Sequence, residues 1–200
     1  MNEDAPDSVG AVSAVTSAGV VREDLLRQVT WGVDASVRYH ERRQAFYERA
    51  DSLVNALNLI IGSGAVLAIV KSAPDWIIVL SSALVAVLSL INITMRSSAM
   101  ASLHAQLKQR FIGLLIRLEQ LEDFSGSDEL FKKQLRKVRE ARLLIEVEEP
   151  TIYRVVHVMA NNEIMMAHGY DESEMWQIPR FKALTANWIR WESSKLKRRG

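Results

Sequence analysis

Chemistry needs groups that converge, and the first candidates in this sequence are four histidines, His40, His104, His157 and His168. No two stand three or four residues apart, so no helix face offers a ready pair of metal ligands. The run EVEEP (Glu146–Pro150) concentrates carboxylates, and it reads as a solvated acidic face before it reads as a metal or acid–base site. His157 and Asn161 share a helix face at i,i+4, followed by Asn162 and Glu163. These are polar groups that satisfy neighbouring backbone, or a surface that senses a partner or ligand. HExxH, GxSxG, a phosphate-cradling glycine loop and a nucleotide fingerprint are all absent from the sequence. Without cysteine there is no disulfide, thiol chemistry or cysteine-based metal site, which fits a reducing compartment. The sequence therefore predicts no catalytic residues, no metal and no cofactor.

The more telling polarity lies inside two apolar runs. Leu53–Val70 is uncharged, as is Trp76–Met95, and between Leu53 and Met95 the only charges are Lys71 and Asp75. Crossing the hydrocarbon of a bilayer takes about 20 helical residues, so both runs are long enough. Asn55, Asn58, Gly62 and Ala65 fall on one side of the first helix, and Ser82, Ala86, Ser89, Asn92 and Arg96 line one side of the second. Such a stripe serves close helix packing, or it forms the wall of a pore built from several subunits, because two helices alone cannot enclose water. Gly62 and Gly64 sit within a span, where small residues permit close approach and phosphate binding has no place.

These runs must be positioned by what flanks them. Both are apolar around their whole circumference, unlike a surface helix. KSAPD links them and makes them antiparallel neighbours, with Pro74 and Asp75 suited to a helix start. Arg38, Arg42, Arg43 and Arg49 precede the first run and Arg96, Lys108 and Arg110 follow the second, while the loop offers only Lys71. Positive charge stays inside, so both termini are expected in the cytoplasm and Trp76 at the outer interface. The totals, 25 basic against 24 acidic residues, give no field that would select nucleic acid. The acidic start MNEDAPDSVG, with no early apolar core, is not a secretory signal.

Outside the spans the sequence reads as helix throughout. Residues 1–19 are expected to be a flexible tail. Residues 20–52 form a cytoplasmic helix running into the first span (53–71), and the second span (76–95) continues into a cytoplasmic helical region (96–200). Met100, Leu103, Leu107, Phe111, Leu114, Leu118 and Leu121 recur at spacings of three and four, the seam of a helix that packs against others. SGSD (Ser125–Asp128) breaks it, and a further helix runs to about Glu149. Pro150 is expected to open another helix, closed by Gly169, and a last amphipathic helix spans Phe181–Lys197. No strand is expected. The fold class is all-α: an integral membrane two-helix hairpin with long helical cytoplasmic extensions. The basic end, KLKRRG, suits anionic lipid or plain solvent equally.

RYHERRQAFYERAD running into a span, a short loop, a second span and then HAQLKQRF resembles the SLATT family of bacterial two-helix membrane proteins, which are associated with nucleotide-signalling and anti-phage conflict systems. EVEEPTIYRVVHVMANNEIMMAHG resembles the acid–proline and Asn–Glu stretch of the same family, and the likeness covers roughly residues 30–170. The resemblance implies an antiviral effector that assembles in the inner membrane as a homo-oligomer and permeabilises it on a signal from a separately encoded sensor or nucleotide-signalling protein. It transfers no catalytic residue. By motif it points to Tyr39, Arg42 and Arg43 before the first span, and to Pro150, Asn162 and Glu163 after the second, as assembly or sensing positions. The alternative is a non-conducting membrane anchor or scaffold that recruits a soluble partner.

Overall fold

The computed structural model describes residues 8–63 and 75–198. The described chain is all-α apart from one two-residue ladder. Helix α1 spans Ser8–Gly62, 55 residues without a proline. It includes residues 8–19, which the sequence suggested was a flexible tail; no helix-breaking proline follows Pro6 there. Helix α2 spans Asp75–Met95 and α3 spans Ser97–Glu122. The two do not merge into one continuous rod, as the sequence suggested, because Arg96 between them adopts the left-handed conformation, φ 48 and ψ 43. Residues 64–70 of the first apolar run, Gly64 and Ala65 among them, and the linking loop before Asp75 lie outside the described residues.

The core is an antiparallel pairing of α1 with α3. Leu26, Val29, Val33, Ser36, His40, Arg43 and Tyr47 are buried on α1 at alternating spacings of three and four. On α3 the buried positions are Ser97, Ala101, His104, Leu107, Phe111, Leu114, Leu118 and Leu121. This is the heptad seam of a two-stranded coiled coil. At the end far from the apolar runs it is purely aliphatic and aromatic, with Leu26, Val29 and Val33 against Leu114, Leu118 and Leu121. Toward the apolar runs it becomes polar. The expected seam of α3 is therefore satisfied within one chain.

Helix α4, Asp128–Glu148, lays Phe131, Leu135, Val138 and Ile145 onto that core. Ser127 stands at its N-cap position in extended conformation, and Asp128 and Glu129 place carboxylates in the first turn, where the helix dipole favours them. Pro150 does not open the next helix: α5 runs Arg154–Ala167, because the stretch 149–153 stays extended to bring Tyr153 onto α1. Gly169, at φ +75, closes α5 as expected, with its N–H on the Met166 carbonyl (3.1 Å) and that of Tyr170 on the Met165 carbonyl (3.0 Å).

The last amphipathic helix is short, α6 at Arg180–Thr185. Strand β1 (Trp176–Gln177) pairs antiparallel with β2 (Lys197–Arg198), a ladder the sequence reading did not expect. It ties the end of the chain back onto α5, because the Asn162 amide bonds both the N–H (3.0 Å) and the carbonyl (2.8 Å) of Trp176.

Candidate functional site: a buried histidine and arginine cluster beside an apolar helix pair

The polar part of the seam is built from α1, α3, the α4–α5 connection and the C-terminal segment. His40 and His104 face each other across the coiled coil, Nδ1 to Nδ1 at 2.8 Å, and both are fully buried. His40 Nε2 meets Glu149 Oε1 at 3.2 Å. With both rings neutral, His40 donates from Nε2 to the carboxylate and accepts at Nδ1 from His104. His104 Nε2 is then an unprotonated, buried nitrogen without a partner among the described residues. Burial is the main cause that drives the His104 pKa down to about 3, and the neighbouring His40 and Arg43 add to it. Phe111 stacks on His40 at 5.4 Å and Tyr47 on His104 at 5.7 Å, so the pair is walled by rings.

One step closer to the apolar runs, Arg43 is 2% exposed. Its Nη2 donates to the Tyr47 hydroxyl at 2.6 Å, and its Nη1 donates to the Asn187 carbonyl (2.9 Å) and side-chain oxygen (3.1 Å). The guanidinium lies 4.1 Å from the centroid of Tyr153 and 4.7 Å from that of Tyr47. Among the described residues it has no carboxylate partner, so aromatic faces and oxygen dipoles carry its charge. Burial raises the pKa of Tyr47, and it raises that of Tyr39, whose hydroxyl accepts from the Tyr153 N–H at 3.1 Å.

The residues expected to serve sensing or assembly divide cleanly. Tyr39, Arg42, Arg43, His157, Asn162 and Glu163 all lie where α1 meets α5 or the C-terminal segment. Arg42 pairs with Glu163, and the Tyr39 ring packs against His157 at 6.2 Å. The His157 pKa is lowered, chiefly by burial. Asn161 joins His157 (3.1 Å) to Trp31 (3.2 Å). Pro150 is half-buried in the α4–α5 connection. The EVEEP carboxylates form no shared site. Glu146 pairs with Arg142 at 2.6 Å, Glu148 with Arg110 at 2.5 Å, and Glu149 with His40. Sequence reasoning missed the roles of His40, His104, Tyr153 and Asn187. The available signal was phase: His104 continues the Leu107–Leu121 seam backward, and His40 continues Leu26–Val33 forward.

In the apolar pair, α2 lies along the end of α1. Asp51 accepts from Asn55 Nδ2 (3.1 Å) and from Asn92 Nδ2 (3.4 Å). Asn58, Ser89 and Asn92 are half-buried, whereas Asn55 and Ser82 are exposed, so the two polar stripes do not coincide on one face. The side-chain oxygens of Asn58 and Asn92 are buried without partners among the described residues. Gly62 ends α1. Among the described residues one helical run, Val79–Glu122, contains a segment long and apolar enough to cross a membrane, and none of that segment is buried.

A cleft of about 1100 Å³ opens at the far end of the coiled coil, lined by Arg22, Trp31, Asp34, Phe131 and His168 among others. Two of its charges are paired, Arg22 with Asp128 at 2.8 Å and Asp34 with Arg38 at 3.4 Å, and neither His40 nor His104 lines it. Among the described residues no three metal-ligating side chains converge. No protein-family model, curated protein or solved structure matches the chain.

Proposed function

We propose that the chain is an inner-membrane protein with two spans and both termini in the cytoplasm, and that it assembles as a homo-oligomeric effector. When a cytoplasmic sensor triggers it, the hairpin permeabilises the membrane. The observation that carries this reading is the surface of α2. Val79, Leu80, Leu90 and Ile93 are 60–73% exposed, so this helix presents apolar side chains outward instead of burying them in its own chain. Water is a poor solvent for such a helix and lipid a good one. The same helix joins, through Arg96 alone, the central helix of the polar seam, so strain in the cytoplasmic body has a short path to the span. The exposed Asn55 and Ser82, and the oxygens of Asn58 and Asn92 that have no partner among the described residues, supply polarity that several copies together could turn toward water.

The second reading is an anchor or scaffold that conducts nothing. It is favoured by the Asp51–Asn92 bond, which uses stripe residues to hold α1 and α2 of one chain together. Reporters fused at either terminus test the topology: a periplasmic C-terminal reporter overturns the two-span reading. Native mass in detergent and ion flux from liposomes, measured on one preparation, test the rest. An oligomer whose flux is lost at normal yield in Ser89→Leu supports a pore. A strict monomer, or an oligomer without flux, supports the anchor.

A further inference from the structure

The C-terminal segment carries an apolar surface that the cytoplasmic body does not use. Phe181, Leu184, Trp188 and Ile189 are 64%, 80%, 57% and 44% exposed. Scattered exposed residues are ordinary, but four large ones within nine positions concentrate apolar surface in one short segment. The segment around it is basic: Arg180, Lys182, Arg190, Lys195, Lys197 and Arg198 stand against Glu192 alone. Among the described residues Arg180, Arg190, Lys195 and Lys197 make no ion pair, and Glu192 is taken by Arg154 at 2.7 Å.

The position of this segment is fixed. Trp188 packs edge-on against Phe46 at 4.9 Å, and the neighbouring Asn187 is held twice by Arg43. Phe46 lies five residues before Asp51, the last charge ahead of the apolar run, which is about 8 Å along the helix axis. The polar zone of a bilayer leaflet is about 6 Å deep, so Phe46 stands just beyond its outer edge and Trp188, packed on Phe46, is within a side chain's length of headgroup level. Tryptophan favours that level, and lysine and arginine favour its anionic lipids.

We propose that the segment 180–198 is a membrane-docking surface that lies on the cytoplasmic leaflet and binds anionic lipid. Phe181, Leu184 and Trp188 enter the interface, and the unpaired cations meet the headgroups. The body would then stand on the membrane at a second point, beside the helix pair. This rests on the spanning reading above, and the test separates the two.

The chain has no cysteine, so single-cysteine labelling of the full-length protein is clean. Leu184→Cys reports docking and Leu84→Cys reports insertion. Leu130→Cys, on α4 at the opposite end of the body, is the solvent control. Each labelled variant is reconstituted in brominated vesicles of phosphatidylglycerol with phosphatidylethanolamine, and in brominated phosphatidylcholine. The expected result is loss of emission at positions 84 and 184 but not 130, with the loss at 184 confined to the anionic vesicles. Arg180→Glu combined with Lys195→Glu, both exposed and unpaired, should abolish the loss at 184 and leave that at 84. Quenching at 84 with a water-exposed label at 184 overturns docking while insertion stands. A label at 184 that is shielded from water yet unquenched by lipid overturns it in favour of a protein interface, a second copy included. Quenching at 184 that ignores headgroup charge overturns the anionic partner, and no quenching at 84 overturns both readings.

Discussion

Lowering the pH from 7.5 to 5.0 should destabilise the helical body built on α1 and α3 through His104. Its native pKa is held near 3 while the unfolded value is 6.5. The native state therefore takes up no proton across this range, and the unfolded state takes up one. The sign follows: the stabilisation is complete above the unfolded value and is lost progressively as pH falls from there toward the native one. Integrated from pH 7.5 to 5.0, one such proton costs about 2 kcal/mol, which for a chain of this size is a fall in Tm of roughly 4–8 °C. His157, whose pKa is also lowered, adds in the same direction. Thermal unfolding followed by helical circular dichroism in one detergent, at both pH values, measures the difference. His104→Phe keeps a ring against Tyr47 and removes the titrating nitrogen. The variant loses the bond to His40, so its absolute stability drops, but its pH dependence should shrink to the share of His157. A His104→Phe protein with the full wild-type pH dependence would refute the reasoning, because the titrating group would then lie elsewhere.

Arg43→Lys keeps the charge but cannot reproduce two donors to Asn187 and one to Tyr47, so it should cost about 2 kcal/mol or more. It should also speed tryptic cleavage after Lys182 and Arg190, read by mass spectrometry of the fragments. Leu107→Asp places a charge at a position 1% exposed within the chain's own seam. It should unfold the body, at a cost of several kcal/mol, rather than merely dissociate subunits, and circular dichroism beside native mass distinguishes the two. Gly169→Ala forces a side chain into the left-handed region at the end of α5 and should cost about 1 kcal/mol by thermal unfolding.

The α3 seam, the SGSD break and the Gly169 stop were legible because each rests on local rules: apolar spacing, turn-forming residues and the one residue that tolerates positive φ. The other half of the coiled coil was not, since α1 contributes Ser36, His40 and Arg43 at seam positions and so hides its apolar period. The EVEEP carboxylates read as a solvated face, yet each has a partner on another residue, Glu149 from about a hundred positions away. The Glu146–Arg142 pair is an ordinary i,i+4 contact within α4, but no spacing rule within one helix can show Glu148–Arg110 or Glu149–His40. The extended stretch 149–153 escaped because Pro150 suits a helix start as well as it suits an extended strand-like bridge. Here Tyr153, needed by Arg43 and Tyr39, decides the matter. The short β1–β2 ladder escaped because two residues per strand leave no alternation to detect.

The left-handed residue between α2 and α3 has a consequence for anyone who wishes to build with this protein. The half-buried side of α2 runs Ser81, Val85, Leu88, Asn92, Met95. Continued as one rod it would next bury Ala99 and Ser102, yet both are exposed, and the buried set restarts at Ser97, Ala101 and His104. Arg96 thus shifts the phase of the helix by about two residues, roughly half a turn. A chimera that grafts this body onto a foreign span must carry Arg96 and its offset with it. A seamless helical fusion designed by heptad counting would aim the new span half a turn away from the neighbour it is meant to meet.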